Sequence, residues 1–243
     1  MPTIPKKLYK YRVANEYSFT EIMQTKVYYA DPERLNDPFD CCPVVSVDSD
    51  PKDLENICFQ LMYRTYKKKN DNSELAKKFT LNEMTEIRDS ASQYGDRQKD
   101  SEAKEEYLYA LERGIINNLI QDKGVLCLAQ KWDCPLMWSH YADQHKGLCI
   151  EYDTSATEFG VPVKVNYSGE RGIKTSDLYK WLINNDKDAL ERVRNGYFYR
   201  KAPQWKYEKE WRLVNKKIGL EERACQQFCV NTISKMWLQS ILK

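Results

Sequence analysis

The sequence predicts an α+β protein, a mixed or antiparallel sheet core carrying a helical insertion. Three observations lead there. Segments that alternate apolar and polar residues lie near the start of the chain and again after residue 124, as half-buried strands do. Between about residues 50 and 122, apolar residues recur at helical spacing in a charged background. Neither an internal repeat nor a Gly/Ser linker separates these regions, so residues 1–243 read as one α+β domain with a helical insertion at about 50–122.

Leu8 to Val13 alternates as a short strand. Asn15 to Gln24 suits a helix, with Ser18 and Glu21 spaced as a capping box. Lys26 to Ala30, rich in Val and Tyr, reads as a second strand. Asp31 to Asp40 is a turn-rich loop. Asp50 and Pro51 open a helix as cap and first-turn residue, and Leu54, Ile57, Cys58, Leu61 and Met62 then share one face. From Lys67 to Lys104 the chain holds little apolar material and predicts helices with exposed faces, with a mobile stretch near Ser90 to Ser101. Tyr107, Leu108, Leu111, Ile115 and Leu119 mark a further amphipathic helix, ended at Lys123-Gly124.

The second half changes character. Val125 to Ala129 is a short apolar run that suits a buried strand. Pro135 to His145 predicts a helix of about three turns stopped at Gly147. Leu148 to Asp153 alternates, and Val161, Val163, Val165 and Tyr167 repeat the pattern. Asp177 to Phe198 is helical in spacing. Tyr207 to Val214 is a strand candidate, and Phe228 to Trp237 holds another.

Composition excludes several classes. The net charge is +2 in 243 residues, too small to draw the chain globally onto nucleic acid. The single run of three basic residues, Lys67 to Lys69, suits a solvated helix end. No window approaches the ~18 apolar residues that span a membrane. Residues 1–7 lack the apolar stretch of a signal peptide, so the expectation is a cytoplasmic protein whose eight Cys are reduced. Gly-rich phosphate loops, a GxSxG elbow and CxxC pairs are all missing. His140 and His145 lie five apart, on different helix faces, so no metal is expected. Pairing either His with Cys134 or Cys149 as a nucleophile is weaker than reading those thiols as buried and inert.

Three constellations could carry chemistry. In Tyr207-Glu208-Lys209-Glu210-Trp211-Arg212, strand parity puts Glu208, Glu210 and Arg212 on one face and sends Trp211 toward the core. That polar face is either exposed with a local ion pair or a pocket wall, where Arg212 would keep a carboxylate ionised. Trp138 to Gly147 crowds Ser139, His140 and Tyr141 onto one short helix, where they either line a cleft or cap neighbouring chain; His140 or Asp143 as the base of a hydrolase is a weaker alternative. The third is Tyr9-Lys10-Tyr11-Arg12 with Tyr28-Tyr29 and Asn36-Asp37-Pro38-Phe39-Asp40, in which an Arg leaving a strand suits phosphate.

Taken in order, Leu8–Arg12, Asn36–Asp40, Val125–Leu128, Trp138–Asp143, His145–Gly147 with Ile150–Asp153, and Trp205–Arg212 resemble an uncharacterised, mainly bacterial family, domain of unknown function 2971. More distantly, a polar first-strand anchor, a Tyr-bearing strand and a late strand with Glu are similar to the ADP-ribosyltransferase superfamily, including its abortive-infection and toxin members. That resemblance implies an ADP-ribosyltransferase-like fold and an enzyme that splits NAD and transfers ADP-ribose to a protein or nucleic-acid target, as a toxin or phage-defence effector. It gives Arg12, or else Tyr11, the anchor role, Tyr28 or Tyr29 the nicotinamide stack, and Glu210, or else Glu208, the ribose hydroxyl. Asn36, Ser139, His140, Tyr141 and Arg212 join the binding set. The alternative is a non-catalytic nucleotide-sensing or protein-interaction module built on the same cleft.

Overall fold

The architecture comes from a computed structural model that describes residues 3–92, 96–155, 160–169, 172–222 and 228–229, without the side chains of 90–104 and 228–229. In chain order the elements are β1 (Lys7–Arg12), α1 (Glu16–Met23), β2 (Lys26–Tyr29), β3 (Val44–Ser46), α2 (Pro51–Asn70), α3 (Ser73–Ser92) and α4 (Asp96–Ile115). There follow β4 (Gly124–Ala129), α5 (Pro135–Tyr141), β5 (Leu148–Asp153), β6 (Val163–Lys164), β7 (Gly172–Lys174), α6 (Thr175–Leu182) and α7 (Lys187–Phe198). The chain continues through β8 (Glu210–Asn215), β9 (Gly219–Glu222) and β10 (Phe228–Cys229). No helix among the described residues is long and apolar enough to cross a membrane.

The chain divides into two compact units. The first comprises residues 1–42, 122–170 and 198–243, the second 43–121 and 171–197. Unit 1 holds a six-stranded sheet in the order β10-β5-β1-β4-β8-β6, with every pairing antiparallel. Strand alternation divides its side chains. Leu8, Leu126, Leu128, Leu148, Ile150, Tyr152, Trp211 and Leu213 pack with Val27 and Tyr29 of β2 into one core. Tyr11, Ala129 and Cys149 point to the other face and pack with Met137, Trp138 and Ala142 of the α5 region. β2 pairs with β9, and Ala30 bridges to Val125. Gly124 lets these segments close. A Cβ there would press into the Lys217 carbonyl oxygen and Tyr29 Cβ. Gly124→Ala should therefore cost about 1–3 kcal/mol by overpacking, read as a lower urea midpoint with an unchanged slope.

Unit 2 is a helical layer with a short parallel pair, β3 with β7. Leu54, Ile57, Cys58, Leu61 and Met62 are buried on one face of α2, and Asp50 caps that helix from its predicted position. Ala76, Thr80, Met84 and Ile87 of α3 and Ala110, Leu111 and Ile115 of α4 complete this core. α3 and α4 flank residues 93–95, so part of the expected mobile stretch from Ser90 to Ser101 falls outside the described residues. Asp48 holds the start of α6, accepting from the Thr175 hydroxyl and from Ser176 N–H.

Several expectations about boundaries are corrected. Asn15, not Ser18, caps α1, accepting from Ser18 N–H; Ser18 instead donates to the Val13 carbonyl, and Glu21 pairs with Arg12. α4 passes into a single π-turn at Ile116–Ile120, and Asp122 rather than a glycine takes the left-handed position. The helix expected to His145 stops at Tyr141, because Asp143, Gln144 and His145 adopt positive φ (46°, 51° and 71°). That turn returns His145 N–H to the Trp138 carbonyl and Gly147 N–H to Ala142. Residues 177–198 form two helices, broken where Asn185 is left-handed. Of the alternating segment 161–167, only Val163–Lys164 pairs as strand, though Val165 is buried. Phe228–Cys229 pairs with β5, and the remainder of the predicted final strand lies outside the described residues.

Candidate active site

The site lies on unit 1, beside β1, β4 and β8. β1 meets β4 at one residue pair, Tyr9 with Ala129, and the edges of both strands line a cleft of about 310 Å³. That is at the lower end of the range for small-molecule sites. Tyr9, Tyr11 and Arg12 come from β1, Tyr28 from β2, Arg34 and Asn36 from the loop after it. Cys127 and Ala129 of β4, Tyr141 of α5, and Lys201, Glu208 and Glu210 supply the remaining walls and floor.

The floor is a buried network of five charged side chains. Arg212 is fully buried, and all five of its N–H donors are used. Nε and one terminal nitrogen reach the two oxygens of Glu210 at 2.7 and 2.9 Å. Both terminal nitrogens reach Asp40 at 2.8 and 2.6 Å, and the last donor takes the Phe198 carbonyl at 2.8 Å. Lys201 lies at the centre of three carboxylates: Glu208 at 2.6 Å, Asp40 at 3.3 Å and Glu210 at 3.5 Å. Tyr141 donates its hydroxyl to the other oxygen of Glu208 at 2.6 Å. Three carboxylates thus face two cations, with a net charge of −1 by that count.

This arrangement drives the two glutamates apart. Burial raises the Glu210 carboxyl, but Arg212, Lys201 and the Cys127 thiol outweigh it, and the group settles at about 2, below the usual 4.5. Glu208 goes the other way, because burial and the neighbouring Glu210 charge exceed what Lys201 and Tyr141 return. Lys201 is held protonated: burial opposes its charge, but Glu210, Glu208 and Asp40 overcome that cost. Burial and Glu210 push the Cys127 thiol well up, so it is no thiolate. One carboxylate stays ionised and its neighbour holds a proton more readily, a pattern found where acid–base roles are divided.

The folded value of Glu210 is below its unfolded one, so its stabilisation is full above about 4.5 and is lost as pH falls toward about 2. Glu208 is raised, so its contribution is present below 4.5 and declines as pH rises through its folded value. Urea midpoints should fall between pH 4.5 and 2 in the wild type, and Glu210→Gln should flatten that acid limb.

The expected residues have different fates. Glu210, Glu208, Tyr11, Arg12, Tyr28, Asn36 and Tyr141 all line the cleft, and Arg212 lies beneath it. Tyr28 and Tyr29 separate by strand parity, Tyr28 toward the cleft and Tyr29 into the core. Arg12 is ion-paired with the buried Glu21. The Tyr11 hydroxyl donates to the Lys131 carbonyl at 2.8 Å. Ser139 and His140 are exposed and do not line the cleft; His140 lies among Tyr141, Trp205 and Tyr207 instead. Glu208 joins its partners by another route than a continuous strand. Residues 203–208 form a 3-10 segment, and left-handed Lys209 turns the chain into β8. Of the two readings left open for the polar face, exposed strand or pocket wall, burial favours the second: Glu208 is 3% exposed and Glu210 4%.

Two residues of the charged network escaped the sequence reading. Asp40 ended a quoted loop motif but had no assigned role, and Lys201 carried no signal at all. A buried Lys is unusual; of its three carboxylates Glu208 and Glu210 follow seven and nine residues on, and Asp40 comes from far upstream.

Residues 137–213 match the family model described as protein of unknown function (DUF2971). The DUF2971-like segment contains Tyr141, Lys201, Glu208, Glu210 and Arg212; β1, β2 and Asp40 lie outside it. The N-terminal motifs that resembled the same family therefore lie beyond the matched range. No curated protein and no solved structure matches the chain. Among the described residues, no group of three or more His, Cys, Asp or Glu side chains is placed to hold a metal ion.

Proposed function

We propose that the cleft binds NAD and that the protein is an ADP-ribosyltransferase-like enzyme, with the sheet of unit 1 as the corresponding core. The observation that carries this reading is the Glu208–Glu210 pair at the cleft, one carboxylate held ionised and the other raised. Breaking the bond between C1′ of the ribose and nicotinamide sends the electron pair to the ring nitrogen and leaves a cationic ribose. An ionised, immobile Glu210 stabilises that charge electrostatically. Attack by an acceptor oxygen or nitrogen forms the new bond at C1′, and the acceptor's proton passes to Glu208. Tyr28 offers a ring for the nicotinamide, and Arg12 and Arg34 offer guanidinium groups for the pyrophosphate. The experiment is incubation with labelled NAD and cell lysate, following nicotinamide release and label transfer. Release above the uncatalysed rate supports the proposal, and absence of both signals removes it.

A non-catalytic nucleotide-sensing module is the second reading. The observation favouring it is that both oxygens of Glu210 and of Glu208 are already engaged by Arg212, Lys201 and Tyr141. Stabilisation against melting by NAD, without turnover, is its signature.

A further inference from the structure

We propose that the acceptor of the transferred group is single-stranded nucleic acid, guided to the cleft by an aromatic and basic surface beside Tyr141. This inference rests on the reading of the cleft given above. His140, Trp205 and Tyr207 form an aromatic cluster, with ring centroids 6.0–6.3 Å apart. His140 is exposed, Trp205 and Tyr207 are half-buried, and none of the three lines the cleft. The cluster nevertheless meets the site, because His140 is 6.2 Å from Tyr141, whose hydroxyl is bound to Glu208.

Charge along Trp205-Lys206-Tyr207-Glu208-Lys209-Glu210 is sorted by burial. Both glutamates turn inward, at 3% and 4% exposure, whereas Lys206 and Lys209 are exposed. The surface of this segment is therefore cationic and aromatic, although its composition is balanced. A second feature points the same way. Lys206 also borders an open groove lined by Lys164, Asn166, Tyr167 and Ser168, which includes no carboxylate. Lysines and short polar side chains along a groove suit a phosphate backbone, and adjoining aromatic rings suit unstacked bases. Trp205 also lies over the Lys201 ammonium, at 4.9 Å, and Tyr207 packs against the core around Tyr11 and Trp138, so the rings are held in place. A single strand would engage both their open edges and the lysines, whereas an acidic peptide would use only the lysines. Duplex DNA keeps its bases paired and stacked, so it would leave the rings unused.

The test uses the full chain with fluorescein-labelled single-stranded oligonucleotides, the matching duplex and a poly-glutamate peptide. Wild type should bind single strands most tightly, with affinity falling as salt rises. Tyr207→Ala and Trp205→Ala should each weaken binding about tenfold, as expected for losing one stacking partner. Lys164→Glu with Lys206→Glu should weaken binding and reduce its salt slope. Folding of each variant is checked by melting temperature, and Tyr207→Phe should restore binding if stacking is the cause. Equal or tighter binding of duplex or peptide, or aromatic variants that bind as well as wild type while folded, overturns the proposal. Nicotinamide release without acceptor is measured in parallel. If release occurs but oligonucleotides neither bind nor take label, the acceptor proposal fails and the cleft reading stands. If oligonucleotides bind through Trp205 and Tyr207 but no nicotinamide is released, catalysis fails and the binding surface survives.

Discussion

Arg212→Ala is expected to lower folding stability by about 3–5 kcal/mol, the usual result of removing one partner from a buried charge network. Arg212 is fully buried and holds Glu210, Asp40 and the Phe198 carbonyl together. Without it, two buried carboxylates keep only Lys201 as a cationic neighbour, and one carbonyl loses a donor. Lys201 cannot compensate, because its nearest oxygen belongs to Glu208. Arg212→Lys should recover little, since an ammonium cannot make two bidentate pairs. The check is urea unfolding followed by tryptophan fluorescence, with a double-mutant cycle between Asp40→Ala and Arg212→Ala. Strong coupling is expected, because each single change strands the other's charge. A loss below about 1 kcal/mol for Arg212→Ala, within the range of exposed ion pairs, would mean that the network does not carry the fold.

Glu210→Gln is expected to reduce NAD cleavage by about 10²–10³-fold, the scale of removing one preorganised electrostatic contact from a transition state. Glutamine preserves size and can still accept from Arg212, and Asp40 still faces that cation. The fold should therefore survive better than in Arg212→Ala, and NAD binding should change less than turnover. Glu208→Gln makes a different mark. In the proposed reaction its group takes a proton rather than supplying fixed charge, so the loss should come with a flattened pH–rate profile.

These effects show what the sequence carries and what it leaves unstated. Side-chain alternation is local, so Trp211 and Leu213 could be assigned to the core and Glu210 and Arg212 to the opposite face before any fold was known. The apolar stripe of α2 and its Asp50 cap are legible for the same reason. The break at Lys209 is not, since a non-glycine residue in the left-handed region is held there by its surroundings. The left-handed run Asp143 to His145 belongs to the same class, closed by returns to Trp138 and Ala142. Asp40 and Lys201 reach the site from 172 and 11 positions before Arg212, and no local pattern marks such meetings. Burial changes meaning as well: the Glu-Lys-Glu run suggests a solvated face, yet its glutamates lie inside and its lysine outside.

The most direct measurement is nicotinamide release from NAD by wild type and by Glu210→Gln, compared at equal folded fraction and with NAD-induced stabilisation recorded for both. Turnover by the wild type, a fall of at least about 10²-fold in the variant, and stabilisation by NAD in both is the predicted result. Equal release by the two proteins, or a wild type that neither turns over NAD nor is stabilised by it, would contradict the assignment of this cleft.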